Sequence, residues 1–295
     1  MSLLSNTQGS PERVWSALAG LAIFGEQSRE ELESVLNPGS LKPDAGLVKI
    51  ENVRQVIGAA SSLGAVSGDR SATHTEVDPA TLANVASVAD WMHDKLVSLP
   101  SDSKDAVVLE AYAWLIARSA QAGSANWIYE LTADGFADAA AAGLVGDDDD
   151  GGKKMNSSKV VAWRRWLVFL GLAVPMPSPW SAQMSPSGRL ARELMRADIR
   201  GTTLAADAFL GKLAQQMPYL DRGTLFLQAC RRLEWPPTDR LLSPQLSAAL
   251  RELHDEGKIE LQQLGDSRDV VSLASDPAHP VGGFDRVVIS GERSS

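Results

Sequence analysis

Most of the chain has the spacing of amphipathic helices, with apolar residues three and four positions apart. Strand-like alternation is confined to short stretches, each beside a turn. The pattern therefore predicts a mainly α-helical fold with small β-hairpins. The predicted helices cover residues 11–24, 28–36, 50–63, 103–120, 126–142, 157–170, 187–196, 204–217, 223–233 and 243–256.

The last predicted helix begins the clearest supersecondary unit. Ser243 suits the N-cap, and Gly257 suits the left-handed conformation that ends a helix. An alternating strand, 258–263, follows directly, and we expect residues 270–273 to return antiparallel to it. Helix, strand, turn and strand in this order are typical of a winged helix-turn-helix module.

The same outline occurs twice more, at 50–69 and 157–176, where a packed helix is followed by glycine and a strand. We interpret the chain as tandem winged helix-turn-helix modules. The predicted division is a first module at 1–80, a helical segment leading into a basic module at 81–200, and a C-terminal module at 201–295. The alternative is a generic helical protein with chance hairpins.

Charge is distributed unevenly along the chain. The formal net charge is −9, from 28 Lys and Arg against 37 Asp and Glu. Residues 1–150 carry 9 basic and 22 acidic side chains, whereas residues 151–200 carry 9 basic and 2 acidic ones. The acidic total therefore excludes only a uniformly basic nucleic-acid coat. The run at 146–154, with four aspartates, three glycines and two lysines, predicts a solvated loop.

A winged helix that binds DNA lays its last helix in the major groove and places Lys and Arg on phosphates. The middle module carries the densest set of cations, so we predict a salt-sensitive DNA surface made mainly of that segment. The first and third modules add a few arginines. The candidate DNA-binding residues are Lys153, Lys154, Lys159, Arg164, Arg165, Arg189, Arg192, Arg54, Arg251 and Arg268.

Two alternatives limit this DNA surface. On the last predicted helix we expect Ser247 and Arg251 to point outward beside two carboxylates, which favours a protein-facing or structural role for the third module. Arg164 and Arg165 have an alternative role, in which they cover apolar surface or pair with the acidic first half of the chain.

No arrangement of residues indicates catalysis or metal binding. The four histidines are scattered and Cys230 is the single cysteine, so neither a zinc site nor an internal disulfide is expected. Phosphate-binding and dinucleotide-binding glycine motifs are absent from the sequence. We predict a protein that is not an enzyme, binds no cofactor or metal, and has a buried Cys230.

The longest uncharged stretch, 166–188, contains four prolines and too short an apolar run to cross a bilayer. We therefore expect no membrane association. The single cysteine indicates a reducing environment, and the first residues lack a signal-peptide pattern, so we predict a cytoplasmic protein.

Three runs carry a resemblance to a known family. They are AFLGKLAQQMPYLDR at 208–222, LSPQLSAALRELHDEGKIEL at 242–261 and SSKVVAWRRWLVFLGLAV at 157–174. The chain resembles the DpdG proteins, which are bacterial components encoded in gene clusters that insert 7-deazaguanine derivatives into DNA and restrict unmodified DNA. The resemblance implies an accessory role in a phage-defence machine, beside an ATPase, helicase or nuclease from neighbouring genes. It carries over no catalytic residue.

The predicted function is a non-catalytic DNA-binding accessory component of such a modification and restriction system. Its predicted partners are DNA and other proteins of the same defence cluster. Two alternatives stay open. One is an interaction scaffold that docks partners on its acidic first half, and the other is a winged-helix transcriptional regulator.

Overall fold

The computed structural model describes residues 2–5, 9–36, 52–144, 153–177, 182–196, 199–265 and 267–291. Most of the predicted acidic loop, residues 146–152, lies outside these ranges, and so do the first two residues of the predicted helix at 50–63. Within the described residues the fold is mainly helical, with short antiparallel strands, and the predicted fold class is confirmed at this level.

The helices are α1 Pro11–Phe24, α2 Arg29–Leu36, α3 Asn52–Ser62, α4 Pro79–Leu82, α5 Val85–Val97, α6 Val107–Ala122, α7 Trp127–Glu130, α8 Ala133–Gly143, α9 Ser157–Leu170, α10 Ser187–Arg196, α11 Ala206–Gln216, α12 Thr224–Arg232 and α13 Pro244–Asp255. The strands are β1 Val66–Gly68, β2 Thr73–Thr75, β3 Val174–Pro175, β4 Ala182–Gln183, β5 Thr203–Ala205, β6 Ile259–Gln262, β7 Val271–Ser272, β8 Gly283–Phe284 and β9 Arg286–Ile289.

The chain divides into two compact units. The first unit comprises residues 1–106 together with 158–170, and the second comprises 107–157 together with 171–295. The predicted first module lies wholly within the first unit and the predicted third module within the second. The predicted middle segment contributes to both units, and the three-module division stays a prediction.

In the first unit, α1 packs against both α2 and α3, and the hairpin β1–β2 follows α3. Ser28 and Glu31 form a reciprocal capping box at the start of α2, since each accepts a bond from the other's backbone N–H. Gln27, between α1 and α2, exchanges two backbone hydrogen bonds with Thr73 of β2, at 3.0 and 2.8 Å. β2 therefore lies between β1 and Gln27.

In the second unit, α6 is buried along most of its length and packs against α12 and α13. The Tyr112 hydroxyl on α6 donates to the Leu172 carbonyl at 2.9 Å, and the Tyr112 ring meets Tyr219 edge to face. α13 also packs against α10. Strands β5, β9 and β6 form a sheet in that order, with the last strand of the chain in the middle.

The predicted return strand of the C-terminal wing was wrong. Residues 271–272 pair with β8, whereas β6 pairs with β9 over Ile259–Gln262. The four-residue β9 alternates in burial in register with β6, so pairing with β9 extends the buried apolar face of β6 along its whole length. The strand β7 has only two residues and could not do so. The 265–267 turn thus leads into an insertion, and Asp285 accepts from the Leu264 N–H at 3.0 Å.

Three glycines end the helices on which the module prediction rests. Gly64, Gly171 and Gly257 follow α3, α9 and α13 with φ of 66°, 79° and 69°. Residues with a Cβ rarely adopt this left-handed conformation, so these positions favour glycine. The Ser243 N-cap is also confirmed, because its hydroxyl accepts from the Leu246 N–H. No helix in the described parts of the chain combines the length and apolarity needed to cross a bilayer.

Candidate nucleic-acid interface

The two arginines at the centre of α9 have different environments. Arg164 is buried, with 6% exposure, and this burial lowers its pKa to about 10. Arg165 is exposed, and its Nε lies 2.9 Å from Oε2 of Glu12 on α1, within the first unit. Trp163 and Trp166 are fully buried in the core. The outer side of α9 is therefore only weakly cationic.

The two lysines that follow the acidic run also bind carboxylates. Lys153 Nζ lies 2.7 Å from Asp138 of α8, and Lys154 Nζ lies 3.6 Å from Glu110 of α6. Glu110 is 95% buried, so Lys154 supplies its counter-charge. Lys159 also has interaction partners. These side chains neutralise the protein's own acidic groups.

Two arginines of α10 pair with one buried carboxylate. Arg189 is fully buried and its Nη2 lies 3.0 Å from Glu193, one helical turn away. Arg196 approaches the same carboxylate at 3.2 Å, although its own side chain is 39% exposed. Arg192 is half-buried and lies against Gly171, where an added Cβ would meet its Nη2. Of these three cations, Arg189 is therefore removed from the surface, and Arg196 is exposed but already paired.

The side of α13 that was expected to face outward is covered in part, although Glu252 and Asp255 on it are exposed as expected. Ser247 and Arg251 are 0% and 5% exposed, so the prediction that they point outward was wrong. Arg251 donates through Nε and Nη2 to the Val281 carbonyl, and the Ser247 hydroxyl accepts from the Ala274 N–H at 2.8 Å. Residues 273–282, here named the cover segment, therefore lie along α13. Sequence periodicity missed this contact because the cover segment lies within the insertion between β6 and β9, where no helical or strand pattern indicates its position.

A buried carboxylate fixes the start of α13. Asp221 accepts from both the backbone N–H and the hydroxyl of Ser243, at 2.7 and 2.6 Å. Burial raises the pKa of Asp221, although these two hydrogen bonds act in the opposite direction. Cys230 is buried as expected, and burial together with the nearby Asp221 raises its thiol pKa to about 12. These groups stabilise the loop and helix start.

Exposed cations with no described ion partner occur in the first unit. Arg54 is the third residue of α3, and Arg70 lies at the tip of the β1–β2 hairpin. Both are exposed, and neither forms an ion pair with another described residue. Asp69 at the same tip accepts from Ser71 and Ala72, and these hydrogen bonds hold its pKa below the usual value. Arg268 in the second unit is likewise exposed.

A comparison with protein-family models decides the family. The model described as DpdG-like matches residues 1–267. The chain belongs to the DpdG-like family. Membership connects this DpdG-like protein with the 7-deazaguanine DNA modification system, as the resemblance of its helix and wing runs implies. No curated protein and no solved structure matches the chain.

Several of the predicted DNA-binding cations form ion pairs with carboxylates of the same chain, namely Lys153, Lys154, Arg165 and Arg189. One of these counter-ions was detectable from sequence, because Arg189 and Glu193 have the i, i+4 spacing of a helical ion pair. Glu12 and Glu110 were missed, since each is far in sequence from its partner. Whether any of the ten candidate residues binds DNA stays a prediction.

Proposed function

We propose that this DpdG-like protein is a non-catalytic accessory component of the 7-deazaguanine modification and restriction system, and that its first winged helix contacts DNA. The observation that carries the proposal is the strand order in the first unit. Gln27, β2 and β1 lie side by side around the triad α1, α2 and α3. A strand residue between the first two helices, paired with the last hairpin strand, is the arrangement of a winged helix-turn-helix.

The C-terminal part of the chain supports the same fold assignment. There too the last strand, β9, is central, and the helices α11, α12 and α13 precede the hairpin strand β6. The third strand of this sheet, β5, precedes α11, whereas the corresponding residue of the first unit, Gln27, lies between α1 and α2. The cover segment occupies the part of the outer α13 face that carries Ser247 and Arg251, and the exposed part carries Glu252 and Asp255, which favours a structural role for this module.

Arg54 and Arg70 are the side chains that we assign to DNA. The N-terminal residues of a recognition helix are those that contact base edges, and Arg54 occupies the third position of α3. Arginine binds guanine O6 and N7 through two hydrogen bonds. The tip of the wing is where a hairpin contacts the adjacent backbone, so we assign phosphate binding to Arg70.

The middle segment is the weaker candidate for DNA contact. Binding DNA through Arg165, Lys153 or Lys154 would require each to leave a carboxylate that it already contacts. Arg164 and Arg189 would in addition have to leave the protein interior. The gain from a phosphate contact is therefore reduced by the loss of an existing ion pair.

The proposal is tested by measuring the affinity for short duplexes, with and without 7-deazaguanine, at two salt concentrations. We expect Arg54→Glu and Arg70→Glu each to weaken binding, and Arg70→Glu also to lower the salt slope by about 0.9 for its lost phosphate contact. Lys212→Glu, at an exposed cation on α11, is the matched control and should change neither quantity. If Arg165→Glu abolished binding while the first two variants did not, the assignment to the first module would be wrong.

A second candidate function has its own observation. The cations of residues 153–196 are largely paired within the chain, which favours the interaction scaffold over a broad DNA surface. Failure to bind any duplex at low salt, together with co-purification of a protein from a neighbouring gene, would select the scaffold. Sequence-specific binding upstream of a gene would instead select the transcriptional regulator.

A further inference from the structure

The C-terminal end of α1 exposes two large apolar side chains in succession. Ile23 is 75% exposed and Phe24 is 58% exposed. Val35 of α2, also exposed, lies against Gly20, since a Cβ at Gly20 would be 3.7 Å from Val35 Cγ1. Gly20 is one helical turn before Ile23 and Phe24. We name Ile23, Phe24 and Val35 the α1–α2 apolar surface.

Carboxylates border this surface. Glu26 follows Phe24 after one glycine, and the Gln27 side chain bonds the carbonyls of Phe24 and Glu26, which makes the turn compact. His74 of β2 lies 3.9 Å from Glu26 and 3.2 Å from Glu76. Glu30, in the first turn of α2, is also exposed. Glu26, Glu30 and Glu76 are here named the acidic rim.

The acidic rim determines which ligands suit the apolar surface. DNA phosphates and anionic lipid headgroups would be repelled by its three carboxylates. A polypeptide that carries Lys or Arg beside apolar side chains would instead gain both apolar contact and charge attraction. Along the β1–β2 hairpin, Glu76 follows the second strand and Arg70 is at the tip, whereas Glu30 lies nearer the tip, since the Arg29 N–H donates to the Arg70 carbonyl at 3.1 Å.

We propose that the α1–α2 apolar surface and its acidic rim form a docking site for a partner protein, through a basic amphipathic segment of that partner. The proposal is independent of DNA binding by Arg54 and Arg70. Scattered apolar residues are normal on protein surfaces, but adjacent ones with a border of one charge sign are typical of interaction sites.

The test uses the full chain and a fluorescent synthetic helix in which leucines form one face and lysines the other. Binding is measured by anisotropy at two salt concentrations. We expect saturable binding that Ile23→Ser with Phe24→Ser weakens at least about tenfold, which is the loss of about 1.4 kcal/mol. Glu26→Gln with Glu30→Gln should weaken the salt dependence, since two rim charges are lost.

Two controls separate this site from general stickiness. Val85→Ser removes an apolar side chain of similar exposure, at the start of α5 in the same unit, and should leave binding unchanged. A helix with glutamate in place of lysine should not bind. Circular dichroism establishes that each variant keeps its helix content, because the substituted side chains are exposed.

Several results would overturn the proposal. Among them are absence of saturable binding, unchanged affinity of the Ile23→Ser, Phe24→Ser variant, and equal binding of the glutamate helix. A further contrary result would come from sedimentation of the chain without peptide. A concentration-dependent dimer that this double variant dissociates would assign the surface to a second copy of the chain.

Discussion

The bond between Arg251 and the cover segment leads to the most demanding prediction about the second unit. Arg251 donates two hydrogen bonds to the Val281 carbonyl, at 3.0 and 2.9 Å, from a side chain that is 5% exposed. Arg251→Ala removes both bonds and the packing of the aliphatic stem. A hydrogen bond from a charged group contributes about 1.5–3 kcal/mol, so we expect the folded state to lose about 2–4 kcal/mol.

Thermal unfolding followed by circular dichroism gives the first measurement. At about 2–4 °C per kcal/mol for a unit of this size, the unfolding midpoint should fall by roughly 4–16 °C. Hydrogen exchange gives the second measurement, and the Ala274 N–H, which bonds Ser247, should lose protection. Glu252→Ala, at the exposed next position of α13, is the control for loss of side-chain helix contacts.

The reasoning would be refuted if Arg251→Ala unfolded within about 1 °C of the parent protein and kept the exchange pattern of the cover segment. That outcome would mean that the cover segment is held without Arg251. Loss of DNA affinity in a variant of unchanged stability would contradict the structural role even more directly, since a buried side chain cannot touch a phosphate.

Three further predictions concern the same unit. Burial raises the pKa of Asp221 above its ordinary value of 3.8. The stability that the protonated carboxyl contributes is therefore full below pH 3.8 and is lost as the pH rises through the folded-state pKa. In urea titrations, the free energy of unfolding of Asp221→Asn should depend less on pH between mildly acidic and neutral pH than that of the parent protein. The Cys230 thiol, with a pKa of about 12, should resist iodoacetamide at pH 8 in the native protein and react after denaturation, as mass spectrometry would show. Gly171→Ala should lower stability by about 1–3 kcal/mol, because φ is 79° and the added Cβ would meet Arg192. Gly211→Ala in α11, where a Cβ meets nothing within 4 Å, should be neutral or stabilising, and equal effects of the two changes in chemical denaturation would contradict the argument.

Much of the helical fold was readable from the sequence because strong local signals define it. The predicted bounds of α1, α9 and α10 coincide with the structure. The strand β5 was read as the start of a helix, since its pairing with β9 comes from a segment some eighty residues later in the chain. Tertiary pairing of this kind leaves no local signature.

The helix α5 was missed although its sequence carries a helical signal. Val88, Ala89, Met92 and Leu96 have helical spacing and are buried, and Asn84 caps the helix by accepting from the Ser87 N–H. The buried His93 interrupts the apolar pattern, which made the stretch less evident. The signal for α5 is therefore local, whereas the pairing of β5 depends on a distant segment.

The candidate site shows a different limit. Segment charge identifies where cations are dense, but it does not identify which of them are available to a ligand. Arg165 pairs with a glutamate 153 positions away, and Lys154 pairs with one on α6. In a chain with an acidic first half, cations of a basic segment can form ion pairs with the protein's own carboxylates, and such cations are less available to a ligand.

The number of accessible cations therefore sets the kind of DNA binding that this DpdG-like protein can support. Each phosphate contact contributes separately to the salt slope, and the contacts proposed for the first unit are two exposed arginines without described ion partners, Arg54 and Arg70. A surface with so few contacts gives weak, transient affinity unless other proteins hold the chain near DNA. Docking through the α1–α2 apolar surface would supply that proximity, because tethering raises the effective concentration of a weak site without adding contacts to it. Under these two proposals, DNA contact and partner docking would be complementary roles of an accessory component with this charge distribution.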